Sequence, residues 1–142
     1  MKKAASFILT LILVSCGASS SKKTEANALY EVLTQQTNGG ASIRFFEILS
    51  EENEIAMLQN DEKLKDKIKP NDIQNSNFVV LNMGEKTSGG YKIEIESVVE
   101  TDKNIIISVK ETAPEKGSMV TQEMTTPYCV VKINSKKEII IK

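Results

Sequence analysis

Two thiols, no imidazole and a scatter of carboxylates make up the reactive inventory of this chain. Cys16 and Cys129 are its two cysteines, and histidine is absent throughout. That absence removes Ser–His and Cys–His nucleophile pairs, imidazole general bases and every metal site built on imidazole. Cys129 as a nucleophile would need an activating base or a cationic pocket. Val130 and Val131 stand beside it, so it reads as a small buried hydrophobe, with Lys132 on the opposite strand face. Glu94 and Glu96 fall on one face of a strand pattern, roughly 7 Å apart by strand rise. Catalytic carboxylates flank a substrate from opposing sides, so this pair reads as a solvated face. Glu51-Glu52-Asn53-Glu54 lacks the spaced oxygen ligands and central glycine of a calcium loop and suits a helix start instead. The expectation is a protein without enzymatic activity, metal or cofactor, and with no evident small-molecule substrate.

Charge adds a further exclusion. Eighteen basic residues face 19 acidic ones, a formal net charge of −1 with both signs interspersed. No basic field suggests nucleic acid, and no polybasic cluster suggests an electrostatic membrane patch. The length suits one domain able to hold a core without disulfides or metal.

The N-terminal segment has the parts of an export signal. Lys2 and Lys3 precede an apolar run over residues 7–14, broken only by Thr10. The run is far short of the roughly 20 apolar residues that span a bilayer, so it reads as cleaved rather than anchoring. Leu13-Val14-Ser15-Cys16 resembles the lipobox of bacterial lipoproteins. That resemblance implies cleavage between Ser15 and Cys16, lipid on the Cys16 thiol and acylation of the new amino terminus. The alternative is an ordinary secretory signal with Cys16 incidental. The expected organisation is a signal peptide over 1–15, a flexible tether over 16–25 and a single β-rich domain over 26–142. Lipid on Cys16 would hold the domain in the cell envelope, with the membrane as one partner. Gly17 in place of aspartate favours the outer membrane if the source is diderm. With Cys16 lipidated, Cys129 has no internal disulfide partner.

The elements that position these residues follow from period and punctuation. Leu29 to Thr34 and Ser42 to Leu49 flank Asn38-Gly39, the signature of a tight hairpin. Ser50 reads as the cap of a helix carrying Ile55 and Leu58; Asp61-Glu62 starts a further turn or two with Leu64 and Ile68, closed by Pro70. From Asn77 the period becomes two. Phe78 to Met83 is a strand, and Tyr91, Ile93 and Ile95 alternate with Lys92, Glu94 and Glu96. Val98-Val99 breaks the alternation, which predicts a bulge near Ser97. Ile105, Ile107 and Val109 form the inward face of the returning strand, and Tyr128 to Asn134 with Glu138 to Ile141 reads as a final hairpin. The fold class is mainly β (α+β), a small antiparallel sandwich or partly open barrel with a short helical insertion around 50–69.

Gly84-Glu85-Lys86-Thr87-Ser88-Gly89-Gly90-Tyr91 joins two of these strands. Its three glycines mark backbone angles closed to other residues, or close approach of another chain segment. Together with the segments 114–117 and Thr126-Pro127-Tyr128-Cys129-Val130-Val131-Lys132, it resembles the PrcB family, named for a protease complex subunit. The likeness spans about residues 76–142. Thr87 stands where the family often has proline, and Thr126 where an aromatic often precedes the proline. The resemblance implies a non-catalytic lipoprotein module that associates with or stabilises an exported protein, such as a surface protease. Gly84, Ser88, Gly89, Gly90 and Tyr91 are then candidate partner-binding residues, or else a turn whose glycines serve its own geometry. Ser88 and Gly90-Tyr91 also resemble a loop of chagasin-type cysteine protease inhibitors. The chain lacks tryptophan, and so that family's Arg-Pro-Trp loop.

Overall fold

The computed structural model describes residues 29–142. The signal and tether assignments, Cys16 included, lie outside the described residues. Among the described residues seven strands and two short helices follow in the order β1 (Tyr30–Gln36), β2 (Phe45–Leu49), α1 (Glu52–Leu58), α2 (Asp72–Asn75), β3 (Asn77–Asn82), β4 (Lys92–Glu100), β5 (Asn104–Thr112), β6 (Tyr128–Ile133) and β7 (Glu138–Ile141). They form a four-stranded sheet, β1-β6-β3-β2, and a three-stranded sheet, β4-β5-β7, packed as a sandwich that does not close into a barrel.

The most apolar strands take the centre. Val79, Leu81 and Met83 of the β3 segment join Cys129, Val131 and Ile133 of β6 on one face, packed against Ile93, Ile105, Ile107 and Ile139 of the second sheet. On the other face Phe78, Val130 and Tyr128 pack against Ile55, Leu64 and Ile68 of the helical insertion. A strand buried on both faces reads as a continuous apolar run, which is why Phe78-Val79-Val80-Leu81 shows no alternation. Each such side chain contributes about 1.5–3 kcal/mol on burial. Lys132 is the exception on β6. It is 8% exposed, and its Nζ lies 3.0 Å from Glu31 and 3.6 Å from Asp72, tying β1, β6 and α2 together.

Both expected outer hairpins are replaced by non-local pairing. β1 and β2 lie at opposite edges of their sheet, β1 against β6 and β2 against β3. A tight hairpin turn of this kind needs positive φ at both Asn38 and Gly39, and of the two only Gly39 has it. Instead Gly39 donates to Thr126 Oγ1 (3.1 Å) and Gly40 to the Thr126 carbonyl (3.0 Å). β7 leaves β6 and pairs with β5 in parallel, so the fold is not purely antiparallel. The reason is occupancy: β6 already has β1 and β3 as neighbours, and the open side of β5 lets Ile139 and Ile141 reach the inter-sheet core.

The β4–β5 hairpin forms as expected. Its register shifts between Ile95 and Ser97, so the bulge sits at Glu96 and turns Val98 toward the core. In α1 the cap is Glu51 rather than Ser50, because Glu54 Oε2 reaches back to the amides of both Ser50 (3.1 Å) and Glu51 (3.2 Å). Leu64 and Ile68 are buried on a run of turns rather than a helix, and α2 forms beyond Pro70, outside the expected insertion. Among the described residues no helix is long and apolar enough to cross a membrane.

Candidate functional site

Three loops gather at one end of the four-stranded sheet. Gln36, Phe45, Asn82 and Tyr128 share its last register row, so the loops 37–44, 83–91 and 113–127 all leave from there. The opposite row holds Tyr30, Asn77 and Ile133, where the chain from residues 1–28 enters. Seven residues of β1 separate the two rows by roughly 20 Å.

Each candidate glycine is fitted to a neighbour. Gly84 is buried at φ +74°, and a Cβ there would lie 2.8 Å from the Arg44 nitrogen and 3.0 Å from the Ser42 carbonyl oxygen. The next amide, Glu85, donates to that same carbonyl at 2.9 Å. Lys86 and Thr125 exchange both backbone hydrogen bonds, at 2.8 and 2.9 Å. Gly89 donates to the Thr121 carbonyl at 3.0 Å, and a Cβ on it would meet Thr121 Oγ1 at 2.4 Å. Gly90, at φ +86°, would place a Cβ 2.8 Å from Pro114 and 3.0 Å from Val120. Close approach is therefore the reason for the glycine cluster: segment 42–44 approaches Gly84, and segment 113–127 approaches Gly89 and Gly90.

Two hydroxyls are also spent within the braced loops, while Glu85 and Thr87 stay exposed. Ser88 Oγ donates to the Gly89 carbonyl at 3.1 Å, and Thr125 Oγ1 donates to the Ser88 carbonyl at 2.8 Å. Tyr91 is half-buried against the inter-sheet core, with Lys86 Nζ 5.5 Å from its ring centre. Beside Tyr91, where the edges of β1 and β4 meet, a groove of about 360 Å³ is lined by Gln35, Gln36, Thr37, Lys92 and Ile93. Three large apolar side chains of the loop end are exposed, Met119 fully, Ile43 77% and Met124 61%, among polar and charged neighbours such as Glu85, Lys116 and Glu123.

Asn82 organises this end and was not among the residues singled out from sequence. It is 1% exposed. Its Nδ2 donates to the carbonyls of Ala41 (2.9 Å) and Ile43 (2.6 Å), and its Oδ1 accepts from the Ala41 amide (3.1 Å). The available signal was a polar residue closing an apolar strand two positions before Gly84.

The remaining chemical candidates are held in structural roles. Cys129 has no exposed surface, and burial, with Glu94 adding to it, pushes its thiol up to about 11. A protonated, inaccessible sulfur is inert as a nucleophile. Glu94 pairs with Lys92, and Glu54 is spent on the start of α1. Among the described residues no three His, Cys, Asp or Glu side chains are grouped to hold a metal ion.

Comparison with known proteins bears on this same end. Residues 77–134, which build β3 to β6 and both braced loops, match the family model described as PrcB C-terminal. Comparisons with curated proteins and with solved structures give no match. The match coincides with the segments that carried the resemblance, so residues 77–134 are similar to the PrcB C-terminal family.

Proposed function

We propose that this chain is a non-catalytic subunit of a cell-envelope protein complex, one built around an exported protease, and that it docks through the loop end. The observation that carries the reading is the mutual bracing of 84–91 and 113–127 within the residues similar to the PrcB C-terminal family. Loops of this length are otherwise uncommon without a function, and rigid loops lose little entropy on docking. Exposed methionines such as Met119 and Met124 suit an adaptable protein contact. The loop end also lies opposite the entry of residues 1–28. Lipid on Cys16, as the lipobox resemblance implies, would point the loops away from the membrane surface and confine encounters to the envelope.

Two experiments test the reading. A pull-down from gently solubilised membranes compares the native chain with a Met119→Asp, Met124→Asp double variant and with Gly90→Val. The surface variant should lose the co-purifying protein while keeping its fold; retention of every partner by both variants removes the loop end from the mechanism. Cys16→Ser should move the protein to the soluble fraction, and persistence in the membrane would end the anchoring role. Stoichiometric inhibition of a cysteine protease by the purified protein would replace docking with a chagasin-like inhibitory role.

A further inference from the structure

The four strand edges of this sandwich are not equally protected. β1 is bulged between Val32 and Thr34, the Leu33 carbonyl accepts Lys67 Nζ, and Gln35 Nε2 bonds to the Ile93 carbonyl at 2.7 Å. β4 is bulged at Glu96 and carries Lys92, Glu94 and Glu100. β7 is four residues long. Bulges, charges and short length are the usual means of discouraging a further strand. β2 is five residues long and carries one charge, Glu47, but it has no bulge: its register with β3 is unbroken, it holds no proline or lysine, and no described strand lies on its outer side.

The side chains of β2 state what would fit there. Glu47 and Leu49 face the helical layer, where a cavity of about 330 Å³ has Leu58, Val80 and Met57 as apolar lining and Glu54 and Asp61 beside Glu47. Glu54 and Asp61 each spend an oxygen on backbone amides, and Glu47 has no partner among the described residues. A second depression, of about 390 Å³, is lined by Phe45, Phe46 and Glu47. Phe46 and Ile48 alternate to the other face, where Ile48 is 37% exposed. Two cations of the segments flanking β2 and β7 are already engaged, Arg44 by Glu111 and the Phe46 ring, Lys136 by the Ser50 carbonyl.

We propose that the β2 edge accepts an extended segment of another protein with an apolar–basic–apolar sequence, its lysine or arginine seated at Glu47. Backbone hydrogen bonds would extend the sheet, and side-chain alternation would supply the specificity. The basic residue, opposite Glu47, would lay its aliphatic stem over the apolar lining and its cation among the carboxylates. Its neighbours would fall beside Phe46 and Ile48. A second copy pairing β2 with β2 about its centre would set Glu47 against Glu47, which is unfavourable. The edge strand itself lies outside residues 77–134, with Val80 beneath its cavity and only Phe45 reaching the loop end. The loops 84–91 and 113–127 take no part in it, so it stands whether or not their docking role holds.

The test uses the full-length protein in mild detergent micelles and two capped heptapeptides, Ser-Thr-Val-Lys-Val-Thr-Ser and its central-Glu counterpart. Hydrogen exchange read by mass spectrometry should show slowing over 45–49 with the lysine peptide. Fluorescence anisotropy should show Glu47→Gln about fivefold weaker and Glu47→Lys about 25-fold weaker, taking about 1 kcal/mol for each step of charge. Glu47→Lys should in turn prefer the glutamate peptide. Absence of protection at millimolar peptide would overturn the proposal, as would a preference unchanged by Glu47→Lys. Protection of 45–49 in the protein alone, rising with its concentration, would give the edge to a second copy and equally overturn it.

Discussion

Replacing Asn82 by alanine should unfasten the loop end more than any surface change there. The amide makes three hydrogen bonds to residues 41–43, two as donor and one as acceptor. Each is worth about 1 kcal/mol net, so the loss is about 3 kcal/mol. The partner groups lie on an exposed loop and can rehydrate, so no further penalty for stranded buried carbonyls is added. Urea unfolding with a slope of roughly 1.5 kcal/mol per molar should show the midpoint fall by about 2 M at unchanged slope. Limited proteolysis should begin to cut within 37–44. Asn82→Asp sharpens the test, because it keeps the acceptor and turns a carboxylate toward two carbonyl oxygens. Its folded-state pKa would be raised, so stability should be highest in acid and fall as pH rises through that value. A loss below about 1 kcal/mol for Asn82→Ala would show that the loop is held by something else, and the reasoning about its rigidity would fail.

Further expectations follow from the same geometry. Gly84→Ala combines a positive φ with a Cβ 2.8 Å from backbone and should cost about 3 kcal/mol. Gly117→Ala, at φ +81° with open space around it, should cost about 1 kcal/mol; equal losses in thermal melts would remove the close-approach argument. Cys129 should resist a thiol reagent in the native protein and react on unfolding. Its pKa rises from 9.0 unfolded to about 11 folded, so its contribution is intact below pH 9 and about 2–3 kcal/mol is lost as pH climbs to 11. Cys129→Ala should flatten that part of the pH dependence, measured as the difference in urea midpoint between pH 8 and pH 10.5. Lys132→Met should cost about 3 kcal/mol, since it removes one partner and leaves the largely buried Asp72 carboxylate without its cation. A loss below about 1 kcal/mol would show that the pairs with Glu31 and Asp72 are dispensable.

Strand positions were legible because burial leaves a local trace. Ile105, Ile107 and Val109 alternate with polar residues, and Val98-Val99 announced the bulge that structure places at Glu96. Pairing was less legible. Asn38-Gly39 carries a hairpin signature, yet Thr126, far along the chain, captures both glycine amides and leaves β1 to β6. β7 likewise follows the free side of β5 rather than its neighbour in sequence. At the loop end the glycines signalled close approach, while the approaching partners, Pro114, Val120 and Thr121, sit in a stretch with no periodicity to flag them. Asn82 is a single residue whose role exists only once three loops meet. The sequence-based case for Cys16 concerns residues outside those described.

The register of β1 also has a kinetic meaning. Tyr30 pairs with Ile133 and Gln36 with Tyr128, so the first strand waits for the sixth, roughly a hundred residues later. A chain emerging amino terminus first therefore cannot complete its larger sheet until nearly all of it is out. The smaller sheet is closed later still, when Ile139 to Ile141 meet β5. Both sheets therefore close only when the last strands of the chain are available, whereas the β4–β5 hairpin needs no distant partner.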